Sequence, residues 1–173
     1  QGVVGCLKHF PGIGSTTSDT HNGLAYTNRT VEEFRAEEFQ VFKAGMDAGA
    51  KMIMVGHVTA EGLATAQGEA GAPLPASMSE AIITGYLRGE LGYQGVIITD
   101  ALNMSAISEY YSSEQAAVMA LKAGCDMVLM PENFLQAYAG VLNAVVDGTI
   151  SEERINDSLR RIYRIKYGAG FND

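Results

Sequence analysis

The feature of this sequence that most constrains its fold is a regular change in hydrophobic period along the chain. Four short, almost continuous apolar runs each precede a segment in which apolar residues recur at helical spacing. The apolar runs are VVGCLKHF, KMIMVGHV, GVIITDAL and DMVLMP. Strands that are apolar on both faces and alternate with amphipathic helices are typical of a parallel sheet covered by helices. The sequence therefore predicts an α/β fold of four βα units, (βα)4, followed by a C-terminal helix that begins near Ser151.

Capping residues place the ends of these helices. Thr30 with Glu33, and Ser112 with Gln115, have the spacing of a capping box. Gly124 stands where the third helix should end, because glycine tolerates the backbone conformation that closes a helix. One face of the first helix is expected to be buried, and its predicted members are Phe34, Val41, Phe42, Gly45 and Ala48.

Two architectures are built from such units, an open doubly wound sheet and a closed (β/α)8 TIM barrel. The length of 173 residues favours the open sheet, because a complete barrel needs about 250 residues. Polar or loop-forming residues, however, follow all four strands, and they are Lys8 and His9, His57, Asp100 and Pro131. An open sheet concentrates its site at one switch point, whereas a barrel uses many strand ends. The pattern therefore favours half of a barrel.

Composition excludes several classes of function. The net charge of −8 argues against binding to nucleic acids or anionic membranes, which requires clustered lysine and arginine. No apolar run approaches the roughly 18 to 20 residues of a membrane-spanning helix. Cys6 and Cys125 lie inside apolar runs, which predicts buried thiols in preference to a disulfide. Small neutral substrates remain compatible with the sequence, and no compartment is indicated.

The strongest candidate for chemistry is Asp100, which follows the apolar run GVIIT. A carboxylate at this position is partly desolvated and needs a neighbour such as Lys8 to stay charged. The alternative is a loop aspartate that makes only local backbone hydrogen bonds. Lys8 offers a fixed positive charge and donors for hydroxyls, and His9 offers a donor or a base near neutral pH. A packed structural histidine is the alternative for His9.

A long loop between Pro11 and Arg29 contains Asp19-Thr20-His21. An aspartate two residues before a histidine can orient the imidazole and raise its basicity, as in a catalytic dyad. A local turn beside an exposed histidine explains the same spacing equally well. The nearby GIGSTT lacks the third glycine of a dinucleotide-binding loop, so no cofactor is predicted. A metal site formed by the histidines and Asp100 is a second hypothesis, but no H-x-H or H-E-x-x-H pair supports it.

The segments K-H-F-P-G, D-T-H, P-A-S-M-S and L-G-Y-Q-G-V-I-I-T-D-A-L-N-M occur in that order. Together they resemble glycoside hydrolase family 3, and more narrowly its β-N-acetylglucosaminidase branch. The resemblance extends from Cys6 to Gly168. It implies a (β/α)8 barrel of which residues 1–173 form only strands five to eight, with no second domain. One departure is Ile13, where many members of the branch carry a histidine.

The resemblance also implies a role for each candidate residue. Asp100 corresponds to the catalytic nucleophile, and the pair Asp19 and His21 corresponds to the general acid/base. Lys8 and His9 match the sugar-binding pair of the family. Two further substrate contacts are expected at Met104 and His57.

The implied activity is retaining hydrolysis of a terminal β-linked N-acetylglucosamine, from cell-wall muropeptides of a bacterium. The chain alone is expected to be inactive, because the other half-barrel would supply a substrate arginine. It should bind that missing half or self-associate through exposed sheet edges. A phosphorylase or a β-glucosidase-type member of the same family is the first alternative. A noncatalytic sugar-binding or assembly module is the alternative from another class, and the protein is either cytoplasmic or exported.

Overall fold

A computed structural model describes residues 2–16, 25–65 and 74–168 of the chain. The strands are β1 (Cys6–Phe10), β2 (Ala25–Thr27), β3 (Met52–Val55), β4 (Val58–Ala60), β5 (Val96–Ala101) and β6 (Met127–Leu129). The α-helices are α1 (Val31–Ala36), α2 (Glu38–Asp47), α3 (Ser105–Ser108), α4 (Ser113–Ala123), α5 (Phe134–Val146) and α6 (Glu152–Tyr167). A 3-10 helix (Ala76–Met78) and a π-helix (Ala81–Glu90) lie between β4 and β5.

The main sheet contains four parallel strands in the order β1-β3-β5-β6. In its register Leu7 lies opposite Ile53, and Ile53 lies opposite Ile97. The strands follow each other in chain order without the reversal that creates a switch point in a doubly wound sheet, so the arrangement is that of a barrel. The predicted parallel α/β fold is therefore confirmed. β1 and β6 are its outer strands in the part of the chain that the structure describes, and self-association through their edges stays a prediction.

Both predicted capping boxes are present, at Thr30 and at Ser112. The face predicted for the first helix is wrong at two positions, because Val41 is 72% exposed and Ala48 is exposed as well. The helix is interrupted at Glu37, whose backbone angles are φ −123° and ψ −78°. The second part starts afresh, and it turns Phe39 and Phe42 toward the core in place of Val41.

Aromatic packing fixes α1 and α2 against β1. The Phe10 ring stacks on Phe39 at a centroid distance of 5.6 Å and meets the edge of Phe42 at 5.1 Å. Phe34 lies 5.8 Å from Phe39. All four side chains are buried, and pairs at such distances add to the free energy gained by burial. This cluster holds the segment that leads from β1 into the Pro11 turn.

A second, smaller sheet was not predicted. β2 and β4 pair in parallel, with Tyr26 opposite Thr59 and Thr27 opposite Ala60. At three residues each, these strands are too short for a reliable pattern in the sequence. The pairing places the segment before α1 beside the segment that leaves β3.

Asp126, at the opposite edge of the main sheet, organises an ionic cluster just before β6. Its buried carboxylate accepts hydrogen bonds from Arg88 Nη2 at 2.6 Å and Arg161 Nη1 at 3.0 Å. It also accepts from Ser158 Oγ at 2.8 Å and from the Ile97 N–H at 2.9 Å. Burial lowers the pKa of Arg88, and the carboxylate opposes that effect. The cluster ties α6 and the π-helix to the amino ends of the strands.

The two cysteines are free, as predicted. Cys125 is fully buried and Cys6 is partly buried, and burial raises the pKa of both thiols. Among the helices of the described ranges, none combines the length and apolar character needed to cross a membrane.

Candidate active site

Three of the predicted site residues lie at the carboxyl edge of the main sheet, near the ends of neighbouring strands. His9 is in β1, His57 follows β3, and Asp100 is in β5. His9 Nε2 lies 3.4 Å from Asp100 Oδ2, and the two side chains are 22% and 17% exposed. Parallel strands bring their carboxyl ends to one edge, which explains how residues far apart in the sequence meet here. The sequence suggested Lys8 as the neighbour of Asp100, and the structure places the ring of His9 beside its carboxylate.

The two oxygens of Asp100 have different surroundings. Oδ1 accepts a hydrogen bond from the N–H of Ala101 at 2.8 Å. Oδ2 faces the His9 ring. The local bond fixes the rotation of the carboxylate, while partial exposure leaves the group accessible to a ligand. Such a carboxylate can act as an acceptor for hydroxyls or as a nucleophile.

His57 is completely buried, and both of its ring nitrogens are used inside the protein. Nε2 lies 3.0 Å from the carbonyl oxygen of Ala101, and Nδ1 lies 2.8 Å from Ser77 Oγ. A carbonyl can only accept, so Nε2 carries the proton, and the Ser77 hydroxyl donates to Nδ1. Burial lowers the pKa of His57, which favours this neutral form. The geometry does not favour the predicted substrate contact, because it leaves His57 no ring nitrogen for a sugar.

The remaining predicted residues differ in their surroundings. Lys8 is exposed on β1, next to His9. Met104 is only 8% exposed and precedes α3, where its N–H donates to the carbonyl of Ala101 at 3.2 Å. The peptide bonds Lys8–His9 and Phe10–Pro11 are cis. Lys8 is therefore available to solvent beside the site, while Met104 lies against the turn that follows Asp100.

The predicted pair Asp19 and His21 lies outside the described residues. The segments on either side of it are described, and Ser15 Oγ lies 2.8 Å from Thr27 Oγ1. Thr27 Oγ1 also accepts from the N–H of Arg29 at 3.3 Å. Because Thr27 belongs to β2, these bonds attach the segments that flank residues 17–24 to the small sheet of β2 and β4.

Sequence reasoning missed the part that Ser77 plays. Ser77 lies in the P-A-S-M-S segment, which contributed to the family resemblance but suggested no role for any of its residues. The contact between Ser77 and His57 produces no periodic pattern in the sequence, so only the folded structure reveals the role of Ser77. Within the described ranges, no three histidine, cysteine or carboxylate side chains are grouped so that they could hold a metal ion.

The fold and this edge define the chain as part of a barrel-type α/β domain whose reactive groups lie at the carboxyl ends of parallel strands. A model of the family described as "Glycosyl hydrolase family 3 N terminal domain" matches residues 1–165. The chain belongs to glycoside hydrolase family 3, which confirms the resemblance seen in the sequence.

Several characterised proteins are similar to the chain. It is 34% identical to beta-hexosaminidase A of Pseudoalteromonas piscicida, over 95% of this chain and 30% of that protein. It is 41% identical to a beta-hexosaminidase of Stenotrophomonas maltophilia, over 75% of this chain and 36% of that protein. A solved glycoside hydrolase family 3 beta-N-acetylglucosaminidase from Paenibacillus sp. str. FPU-7 superimposes with a TM-score of 0.89. That structure is 38% identical, and the match covers 95% of this chain and 31% of the solved one.

The chain thus spans about a third of the length of these relatives. The similarity places it within the catalytic family.

Proposed function

We propose that the protein carrying this chain is a β-N-acetylhexosaminidase, a retaining glycosidase that releases terminal β-linked N-acetylglucosamine. The observation that carries the proposal is the Asp100 carboxylate at the carboxyl end of β5, with one oxygen fixed by the Ala101 N–H and the other facing His9. The names of the relatives support the same activity, since they include two beta-hexosaminidases and a beta-N-acetylglucosaminidase.

Asp100 has the properties required of a nucleophile in such a reaction. Its carboxylate is held in one rotation by a backbone N–H, so little reorientation is needed when it attacks. The side chain is partly exposed, which leaves room for the anomeric carbon of a sugar. Lys8 and His9 would hold the hydroxyls of that sugar, because both are hydrogen-bond donors on β1 and His9 lies beside the carboxylate.

The reaction is proposed to proceed in two displacements. In the first, an oxygen of Asp100 bonds to the anomeric carbon while the glycosidic bond breaks, and His21 gives its proton to the leaving oxygen. In the second, His21 takes a proton from water, the water oxygen attacks the anomeric carbon, and the Asp100 carboxylate leaves. Asp19 would orient the His21 ring and stabilise its charged form. Most retaining glycosidases use a second carboxylate for this role, so the histidine is a distinguishing part of the proposal.

The decisive experiment compares Asp100→Ala with Asp47→Asn in the full-length protein. Asp47 is an exposed carboxylate on α2 that pairs with Lys43, so its loss should leave the rate unchanged. Asp100→Ala should reduce kcat/KM on an aryl N-acetylglucosaminide by at least about a thousandfold, because the covalent step is removed. A folded Asp100→Ala protein with nearly normal activity would contradict the proposal. Sugar binding without turnover in the unmodified protein would instead favour the noncatalytic module.

The acceptor in the second step is a separate question. A neutral imidazole repels an incoming anion less than a carboxylate does, so phosphate is the second candidate acceptor beside water. Added phosphate should then raise turnover and yield the sugar 1-phosphate. Turnover that is independent of phosphate, with free N-acetylglucosamine as the product, would assign hydrolysis. Muropeptide fragments and a simple β-glucoside, tested side by side, would define the natural substrate.

A further inference from the structure

His57 is the one buried histidine that contacts the backbone next to Asp100 among the described residues. We propose that it is a positioning residue, which fixes the direction of the Asp100 carboxylate through the backbone of Ala101. The inference rests on the proposed function. It replaces the substrate contact expected from the sequence by a role beneath the site, because both ring nitrogens are already used.

One side of the His57 ring holds the turn that follows the nucleophile. Its Nε2–H donates to the carbonyl of Ala101, and the N–H of the same Ala101 donates to Asp100 Oδ1. Both backbone groups of Ala101 are therefore engaged, one by His57 and one by the carboxylate itself. A shift of the Ala101 peptide plane would change the direction in which Asp100 points.

The backbone that follows His57 enters the small sheet of β2 and β4. β4 starts at the next residue, Val58, and pairs with β2. Thr27 of β2 hydrogen-bonds Ser15, and these two residues flank the segment that contains Asp19 and His21. The chain path from His57 into β4 therefore joins the turn after Asp100 to the small sheet, whose Thr27 contacts Ser15.

A third set of contacts prevents the His57 ring from turning. The Ser77 hydroxyl donates to Nδ1, and the Ser77 N–H donates to the carbonyl of Gly56 at 3.2 Å. The N–H of Gly56 in turn donates to the carbonyl of Phe10 at 2.9 Å, next to His9. Ser77 thus fixes both the tautomer and the orientation of the ring, so that Nε2 always presents its proton to Ala101.

Replacement of His57 by phenylalanine keeps a buried planar ring but removes the donor to Ala101. In the natural protein the Ala101 carbonyl accepts from His57 Nε2–H and from the N–H of Met104, and the variant keeps only the second of these bonds. The Ser77 hydroxyl also loses its acceptor, Nδ1 of His57. A displacement of a reacting group by about 1 Å can cost about a hundredfold in rate. We expect His57→Phe to lower the rate of covalent trapping about ten- to a hundredfold, with little change in the affinity for N-acetylglucosamine as a product inhibitor.

The test is made on the full-length protein with a fluorinated N-acetylglucosaminyl fluoride that traps the nucleophile. The number of trapped sites gives the fraction of active protein, and the trapping rate is then expressed per active site. His57→Gln, whose amide can donate to Ala101, should recover part of the rate. Thr59→Val is the matched control, since its buried Oγ1 has no hydrogen-bond partner among the described residues and its loss should leave the rate unchanged.

Each outcome separates the two proposals. If His57→Phe yields fewer trapped sites but a normal rate per site, the residue is merely structural and the inference is overturned. If the unmodified protein is not trapped at Asp100, the proposed function fails and the inference fails with it. If His57→Phe does not fold, Ser77→Ala takes its place. In Ser77→Ala the His57 ring is free to turn, but its displacement should be less than about 1 Å, so we expect the trapping rate per site to fall about threefold to tenfold. Such a decrease would support the inference, and an unchanged rate would overturn it.

Discussion

Two aspartates lie at the ends of neighbouring strands, and they differ in burial and in the number of hydrogen-bond donors around them. Asp100 is at the carboxyl end of β5, where its carboxylate is partly exposed and faces one histidine. Asp126 precedes β6 at the opposite edge, where its side chain is fully buried. Arg88 and Arg161 donate to Asp126, and Arg154 lies within 3.7 Å. The number of hydrogen-bond donors therefore distinguishes the two carboxylates more clearly than the position of each aspartate in the sequence.

The difference in the number of donors around Asp100 and Asp126 indicates a separate role for each edge of the sheet. A carboxylate that is saturated with donors has no lone pair left for a ligand, and its charge stabilises the arginines around it. A carboxylate with one oxygen still accessible can react. Barrel enzymes place catalysis at the carboxyl edge and stability at the amino edge, and the different surroundings of Asp100 and Asp126 agree with that division.

The largest expected effect tests the division directly. Asp126→Ala removes a fully buried carboxylate and leaves several partly buried guanidinium groups without a counter-charge, which should lower the free energy of unfolding by about 3–5 kcal/mol. Asp100→Ala should change it by less than about 1 kcal/mol, because that carboxylate is only partly buried. Chemical denaturation of both variants measures the contrast. Equal losses of stability would show that the two edges do not differ as described.

A second prediction concerns packing at the carboxyl edge. A Cβ added at Gly62, just after β4, would lie 2.0 Å from the carbonyl oxygen of Arg29. Gly62→Ala must therefore move backbone, and overpacking of this kind costs about 1–3 kcal/mol. Because the same turn supports the small sheet, activity per folded molecule should fall as well. Gly5→Ala serves as the control, because a Cβ at Gly5 has no neighbour within 4 Å in the part of the chain that the structure describes.

The same carboxyl edge shows which parts of the molecule the sequence could predict. The parallel strands and the capping boxes followed from periodicity and capping patterns, which are local properties. The placement of His9 and Asp100 at strand ends followed in the same way, but the sequence suggested Lys8 as the neighbour of Asp100, and the structure places His9 there. The inward orientation of His57 could not be predicted, because it depends on Ser77 and on the carbonyl of Ala101, which are distant in the sequence.

Nor did the sequence indicate the role of Asp126. In DMVLMP it looks like an ordinary loop aspartate before a strand. Its arginine partners come from the π-helix and from α6, and only the fold brings these two helices to one carboxylate. The interruption at Glu37 is a similar case, since the residues around it favour a continuous helix and tertiary packing overrides that preference.

A third prediction follows from the lowered pKa of His57. Its pKa in the folded protein lies below the ordinary value of 6.5, so between these two values the unfolded chain binds the proton more readily. The stabilising contribution is therefore complete above pH 6.5 and decreases as the pH falls toward the folded pKa, by at most about 1.4 kcal/mol per pH unit. Denaturation curves measured as a function of pH should show this slope in the natural protein. In His57→Phe this component should be absent, and an identical slope would contradict the assignment.

The smallest effects come from a matched pair of serines, one at each edge. Ser158 Oγ donates to Asp126 at 2.8 Å, and Ser77 Oγ donates to His57 at the same distance. Both are buried, so replacement of either by alanine should cost about 1–2 kcal/mol in the free energy of unfolding. Only Ser77→Ala should also reduce the rate per active site, because only His57 contacts the backbone beside the nucleophile. A rate loss of the same size in Ser158→Ala would mean that catalysis responds to the stability of the whole domain, and that the two edges are not independent.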